Sequence, residues 1–495
     1  MGLAIDRETF SDDEYARFSE RLHENLEVLG EVISKEGFGE GPATVGAELE
    51  LFLVDAGGNP LPMNLEVQKL ANDPRVTIEI SRFNLELNLT PGPLAGNPFA
   101  RLRLDGEEAL DLVRRAARSQ GARIVTVGIL PTLRGEHLRI AGLTPLPRYR
   151  ALNNGLRRLR QGVPFRVAVS GEDTLHVEWD DVTLEGANTS LQMHLRVPPR
   201  RFADAYNAAQ LATAPALALA ANSPFFLQKR LWDETRVALF RQSTDDRGDL
   251  PADWAPPARV SFGRGWVRRG ALELFGEAVA LHQPLLPVMA AESPRRALQE
   301  GRTPELPELR LHYGTVYTWN RPVYDPHDGG HLRIEFRALP AGPTFADMMA
   351  NGAFIIGLTL GLEEDVNALL PGMPFLFARE NFHRAARDGV EAELFWPTRL
   401  APSPRPVPLT ELMPRLCDIA ASGLERHGVS SSDYGPLLAL IRDRALAKTS
   451  GARWQRRALA AYESQMHRGD ALVRVLDRYQ ELSLEGRPVH EWPGS

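Results

Sequence analysis

The chain reads as an α+β protein, a sheet-rich first two-thirds with helical insertions followed by a helical C-terminal third. Two observations predict this. Short segments at 43–54, 84–89, 190–197 and 331–339 alternate polar and apolar residues with the period of two that marks a half-buried strand. After residue 344 the apolar spacing changes to three- and four-residue steps, through 344–370, 379–389, 409–427, 434–447 and 451–482.

Composition narrows the function classes. With 495 residues, 43% apolar and 24% charged, the chain has ample length for a large core. Its net charge of −7 gives no electrostatic reason to expect nucleic acid or an anionic membrane as partner. The single cysteine, Cys417, excludes an intrachain disulfide and a cysteine-based metal site, and its neighbours Leu412, Met413, Leu416 and Ile419 mark a core position. No basic stretch followed by an apolar run opens the sequence. The most apolar windows, near 210–221 and 352–362, are too short to cross a bilayer, so a cytoplasmic location is expected.

Taken in order, 12–35 is an amphipathic helix with Tyr15, Phe18, Leu22, Leu26, Leu29 and Ile33 on one stripe. The strand at 43–54 sets Glu48 and Glu50 on one face and Leu49, Leu51 and Leu53 on the other. In 84–89, Asn84, Glu86 and Asn88 share a face until Thr90-Pro91-Gly92-Pro93. Glu79 lies an odd seven residues before Glu86, so a bulge or loop near Ser81-Arg82 is required to bring both inward. A helix at 98–119 and a buried strand at 122–129 follow. The arginine-rich stretch 144–163 reads as a helix with a solvated basic face and a loop. Ser190, Gln192, His194 and Arg196 line one face of the next strand, ahead of a long apolar helix at 201–221. A helix at 270–283, a Pro-rich loop at 284–310 and a strand-like 311–319 lead to 331–339, where His331, Arg333, Glu335 and Arg337 share a face. A proline-rich linker near 400 (Pro397, Pro402, Pro404, Pro406, Pro408) divides the later helices.

If these strands are neighbours, five carboxylates and a histidine converge, a concentration of like charge that is costly to bury without a cation among it. Oxygen-rich sites with one imidazole suit Mg²⁺ or Mn²⁺, and guanidinium groups match phosphate and carboxylate oxygens. A salt-bridged sheet face is the alternative reading of Arg333-x-Glu335-x-Arg337, and a satisfied core imidazole that of His194.

Gly46-Ala47-Glu48-Leu49-Glu50, the Glu79…Glu86 pair ahead of Thr90-Pro91, the His194 strand, Asn222-Ser223-Pro224 with Arg236, and Glu335-x-Arg337 form an ordered set. This set resembles the glutamate–cysteine ligases and related carboxylate–amine ligases of the GCS2 group, in the glutamine synthetase superfamily, from about residue 40 to 395. The resemblance implies a glutamine synthetase-like curved antiparallel sheet forming an open funnel flanked by helices. It implies that Glu50, Glu79 and Glu86 hold one Mg²⁺ (or Mn²⁺) and Glu48, His194 and Glu335 a second. Arg337 would contact the transferring phosphate, with Arg236 and Arg333 as phosphate or carboxylate partners. Asn84, Gln192, Trp319 and Arg321 would face substrate, although Trp319 and Arg321 equally suit packing at the sheet edge. Gln192 stands where many relatives have histidine, and Asn84 where many have glutamine. The implied reaction is ATP-dependent amide formation of the γ-glutamyl type through an acyl-phosphate, from a small carboxylate substrate and an amine. A phosphotransferase acting on a carboxylate or guanidino acceptor, and a nucleotide or metabolite sensor without turnover, are the competing readings. The expected organisation is an N-terminal helix (1–40), a catalytic domain (41–397) and a C-terminal helical extension packed on it (398–495), with homo-oligomerisation left open.

Overall fold

In the computed structural model, which describes residues 5–248, 256–397 and 404–494, the organising element is an open sheet of seven strands. These are β1 (Thr44–Val54), β2 (Val76–Ile78), β3 (Asn84–Pro93), β4 (Arg123–Val125), β5 (Leu191–Val197), β6 (Asn320–Asp325) and β7 (His331–Phe336). Their order is β6-β7-β5-β1-β3-β2, with β4 on the end of β1, and every pairing is antiparallel.

Alternation decides what each face does. Leu49, Leu51, Leu85, Leu87, Leu191, Leu195, Leu332 and Ile334 are fully buried on the apolar side. One hydrophobic cluster joins them to residues of the helices α1 (Asp12–Ile33), α2 (Pro98–Ser119), α4 (Phe202–Ala220), α5 (Phe345–Glu363), α6 (Leu409–Arg426) and α7 (Ser431–Leu446), while α3 (Pro147–Leu159) packs in a separate cluster with Ile80 and Leu143. Helices α4 and α5 are apolar all round because they are enclosed all round. At 19 residues α5 is long enough to span a bilayer, longer than its apolar window suggested, yet it is mostly buried within the protein. Close approach of α5 and α6 depends on glycine: a Cβ on Gly423 would lie 2.3 Å from the Gly357 carbonyl oxygen, and one on Gly361 2.2 Å from that of Ile419.

A second cluster joins Phe52, Val54, Val125 and Val127 to Trp454, Leu476 and Tyr479 from α8 (Gly451–Glu463) and α9 (Arg468–Glu485). The turn at Asn222 takes part, because its amide donates to the Ala341 carbonyl (2.7 Å) and the Tyr479 hydroxyl (2.8 Å). Arg444 on α7 (1% exposed) forms a buried ion pair with Asp347 on α5 at 2.7 Å. The later helices thus share cores with the sheet. The expected division at 397/398, with Pro402 of the linker, lies outside the described residues.

Several boundaries differ from expectation. The β3 ladder continues through Thr90 to Pro93, accommodated by an irregularity opposite Val45–Ala47. The 122–129 strand is only three residues long, since β1 offers β4 partners at Phe52–Val54 alone. Part of the strand expected at 311–319 is helical: Pro307 starts a helix that runs to Tyr313, leaving Tyr317–Thr318 extended. The 284–310 stretch, expected as loop, also holds a helix at Pro294–Gln299. The helix expected over 451–482 breaks at Ser464–His467. A hairpin of Phe165–Ser170 and Thr174–Trp179 was not anticipated. Nor is the basic face of α3 simply solvated. Arg158 pairs with Asp12 at 2.6 Å, Arg150 with Glu8 at 3.1 Å, and the neighbouring Arg160 is 5% exposed.

Removing one partner of the Arg444–Asp347 pair strands a buried charge. Asp347→Ala should lower stability by about 3–5 kcal/mol, seen as a clear drop in Tm. An unchanged melting curve would contradict the bracing role of this pair.

Candidate active site

The polar face of the sheet is assembled by register. Glu50 lies opposite Glu86 across β1–β3, and the Cα of Gly46 opposite that of His194 across β1–β5. His194 in turn lies opposite Glu335 across β5–β7, and Glu335 opposite Arg321 across β7–β6. The chain turns between β2 and β3 through residues 79–83, and this loop brings Glu79 to the same side as Glu86 despite their odd spacing.

Two groups result. Ligand atoms of Glu48, His194 and Glu335 all lie within 4.8 Å of one another, as do those of Glu50, Glu79 and Glu86. In the first, His194 Nε2 is 3.2 Å from Glu48 and 3.9 Å from Glu335. Neither ring nitrogen of His194 makes a hydrogen bond among the described residues, although the side chain is largely buried. Arg321 clamps Glu335 through two nitrogens, one at 2.9 Å, and Arg337 reaches the same carboxylate at 3.3 Å. In the second, the Ser190 backbone N–H (2.6 Å) and hydroxyl (3.0 Å) donate to Glu50, and Thr77 and Asn88 each donate to Glu86 at 3.0 Å. Gln192 joins the groups. Its amide donates to Glu50 at 3.2 Å while its oxygen accepts from Arg337 at 2.6 Å.

The electrostatics differ between the groups. Burial opposes charge on Glu335, but Arg321, Arg337 and His194 outweigh it and hold the carboxyl well below its usual range. Burial likewise opposes charge on Glu48, and His194 outweighs it, so that this carboxyl is also lowered. In the other group burial wins. Glu50 is raised despite Arg337 and Arg236, Glu79 is pushed up to about 7 by burial and the Glu50 charge, and Glu86 is raised well above its ordinary value by burial and the charges of Glu48, Glu79 and Glu50. These are carboxylates short of a counter-cation. An all-oxygen set and an oxygen-plus-imidazole set fit hard divalent cations.

The remaining expected residues divide. Arg236 is pinned beneath the site by Glu234 (3.0 Å) and the Ala338 carbonyl (3.1 Å), leaving its Nε without a partner among the described residues. Trp319 lies beside it, its ring against Phe240. Asn84 is 2% exposed, and neither of its amide atoms has a partner among the described residues. Arg321 is engaged by Glu335 and also lines a cleft of about 520 Å³. Arg333 is not gathered with the others: it pairs with Asp325 at 2.6 Å and lines two clefts of about 520 and 600 Å³ along the polar face. Sequence reasoning missed Glu185, pushed up to about 8 by burial and the Glu79 charge. It sits in a 3₁₀ turn, Val182–Ala187, which carries no periodic signal.

The model of glutamate–cysteine ligase family 2 (GCS2) matches residues 44–475. The chain belongs to the GCS2 family. The glutamate–cysteine ligase of Francisella tularensis, solved in complex with AMP, is similar in structure with a TM-score of 0.51 and 11% identity, over 90% of the GCS2 chain and 89% of that one. A bifunctional glutathione synthetase from Pasteurella multocida aligns with a TM-score of 0.49 and 12% identity, over 94% of the GCS2 chain but 55% of that longer one. No curated protein sequence matches. The Francisella likeness shows that the two chains share a fold, and family membership supports a carboxylate–amine ligase.

The raised carboxylates set a pH dependence. A group with ordinary value 4.5 that is raised when folded stabilises the protein fully below 4.5 and loses that contribution as pH climbs through its folded value, here about 7 for Glu79. Glu335 acts oppositely, losing its contribution only as pH falls below its ordinary value of 4.5. Metal-free protein should therefore melt at lower temperature at pH 8 than at pH 6, and Mg²⁺ should raise the Tm more at pH 8. Equal Mg²⁺ shifts at both pH values would contradict the cation-deficient cluster.

Proposed function

We propose that this protein is an ATP- and Mg²⁺-dependent carboxylate–amine ligase that forms an amide of the γ-glutamyl type through an acyl-phosphate, in the manner of a glutamate–cysteine ligase. The observation that carries the reading is the pair of ligand groups, Glu48/His194/Glu335 and Glu50/Glu79/Glu86, on one sheet face and joined through Gln192 and Arg337. Each group would hold one Mg²⁺ or Mn²⁺, and the cations would supply charge neutralisation for the nucleotide phosphates.

The protein's own residues do the rest. Arg337, at the junction of the groups, aims a guanidinium at the transferring phosphoryl oxygens, and Arg236 holds the floor behind it. Arg321 keeps Glu335 ionised. Gln192 fixes the guanidinium of Arg337 relative to Glu50, so that phosphate and acceptor meet in a set geometry. A substrate carboxylate oxygen attacks the terminal phosphorus of ATP and the bond to ADP breaks. The amine nitrogen then bonds to the acyl carbon, the carbon–oxygen bond to phosphate breaks, and the nitrogen gives up a proton. Arg333, paired with Asp325 between two clefts, would serve an outlying nucleotide or carboxylate oxygen rather than the transferring group. Residues 41–397 would form the catalytic unit, with 1–40 and 398–495 packed against it. No observation favours the phosphotransferase or sensor readings.

ADP release should require Mg²⁺, ATP, an acid and an amine together, and mass spectrometry should find a product lighter by one water than acid plus amine. ADP and phosphorylated acid without any need for amine would contradict the reading. Arg337→Ala should cut kcat by about 10²–10³ while Mg²⁺ binding persists, and equal loss of both would assign Arg337 a structural role.

A further inference from the structure

Residues 5–41 precede the matched residues 44–475, yet they tie together both walls of the 520 Å³ cleft. One wall is α3, which contributes Arg148, Tyr149 and Leu152. The other is the stretch 286–313, which contributes Leu286, Ala290 and Tyr313. Strands β6 and β7 add Arg321, Asp325 and Arg333. No described residue of 5–41 lines the cleft itself.

Contacts with α3 come first. Glu8 pairs with Arg150 at 3.1 Å and Asp12 with Arg158 at 2.6 Å, and the Arg158 guanidinium lies 4.0 Å over the Tyr15 ring. The Glu8 carbonyl accepts from Asn154 at 3.0 Å, and Ile5 and Phe10 pack on the cluster that holds Tyr149, Leu152 and Leu286. At the other wall the Tyr15 hydroxyl donates to the Leu285 carbonyl (3.4 Å), and Arg295 pairs with Glu27 (3.2 Å) and Glu31. Asn25 donates to Glu308 at 3.2 Å, and the second Glu308 oxygen accepts the Ala290 N–H at 2.9 Å. Asn25 and Glu308 are fully buried. An apolar pair would seat α1 as firmly, whereas a buried polar pair also fixes its register. Beyond α1 the chain reaches the β6–β7 turn. There the Gly39 N–H donates to the Gly330 carbonyl (3.1 Å), Phe38 stacks on Tyr324 at 6.2 Å, and a Cβ on Gly330 would lie 2.7 Å from the Phe38 ring. Within that turn the His327 N–H donates to Asp325 at 3.0 Å, and Asp325 in turn holds Arg333.

We propose that residues 5–41 form a strap that sets the spacing of the two cleft walls and, through the β6–β7 turn, the position of Arg333. Exposed ion pairs contribute little singly, so the strap acts by many contacts made together, with Asn25–Glu308 as its register pin. When it slackens, α3 and the 286–313 stretch are free to separate, and a ligand that reaches Arg333 loses a preorganised partner. Asn25 and Glu308 are positioning residues, since they touch neither the cleft nor the two ligand groups. The tie between the walls holds whatever reaction the site carries out. Its effect on a nucleotide rests on the ligase reading above.

The test combines two measurements on the full chain. Spin labels at the exposed positions Arg157→Cys and Gln299→Cys report the spacing of the walls, and the buried Cys417 stays unlabelled. Calorimetry with Mg²⁺ and ADP reports ligand binding. Asn25→Asp, which sets two carboxyls face to face, should broaden the distance distribution and weaken ADP by about fivefold or more. The double variant Asn25→Asp/Glu308→Gln restores an amide–carboxyl pair in reverse and should recover both readouts. Should Asn25→Asp fail to fold, Asp12→Arg at the exposed end of the strap should give the same changes more weakly. Unchanged distances in the folded single variant, weaker ADP without any change of distance, or no recovery in the double variant would overturn the strap. Broadened distances with undiminished ADP binding overturn its hold on Arg333 and leave the ligase reading intact. Broadening and recovery in a protein that binds no ADP keep the strap and overturn the ligase reading.

Discussion

Everything on the polar face of this sheet answers to one constraint, the cost of gathering carboxylates away from water. Five glutamates and a histidine meet there, and like charges at such separations cannot all ionise unless something positive intervenes. Arg321 and Arg337 satisfy that need for Glu335. Among the described residues no such clamp holds Glu79 or Glu86; Arg148 only partly offsets the burial and neighbouring charge that raise Glu79, and Glu86 is raised by burial and its neighbours. A protein evolving for stability alone gains nothing from this arrangement, since an apolar replacement of a buried charge cluster is often neutral or stabilising. The deficit makes sense as a place kept for cations and the phosphates they carry.

Such a site needs a stiff support, and the apolar face supplies it. The leucines that alternate with Glu48, Glu50 and Glu86 enter a core made by helices from both the middle and the end of the chain. Glycines at 357, 361 and 423 let α5 and α6 pack backbone to backbone, and the Asp347–Arg444 pair fixes α7 on the same surface. A shift of β5 or β7 by one residue would turn His194 or Glu335 into that core. Register and charge are therefore held by the same packing.

Much of this was legible in the sequence, because strand alternation states directly which side chains share a face. The sets Glu48/Glu50, Glu86/Asn88, Gln192/His194 and Glu335/Arg337 follow from period two alone, and the loop required between Glu79 and Glu86 is present at 79–83. Strand order does not follow from period two, so the convergence of these faces rested on the family resemblance. What stayed hidden belongs to irregular backbone. Glu185 lies in a 3₁₀ turn and is brought to Glu79 by long-range packing, and a Cβ on Gly186 would fall 1.8 Å from the Ser81 hydroxyl oxygen. The hairpin at 165–179 did carry a signal, with Phe165, Val167 and Val169 buried between exposed neighbours and Gly171 at the turn. The helix at 307–313 shows the reverse case, where Pro307 at a helix start outweighs residues that also suit a strand.

The most direct measurement is anomalous diffraction at the manganese edge from crystals soaked in Mn²⁺ with a non-hydrolysable ATP analogue. The account predicts two peaks, one among Glu48, His194 and Glu335 and the other among Glu50, Glu79 and Glu86. Absence of peaks at both groups, with Glu335 still clamped by Arg321 and Arg337 and Glu79 and Glu86 simply protonated, would reduce the polar face to a salt-bridged surface and contradict the account.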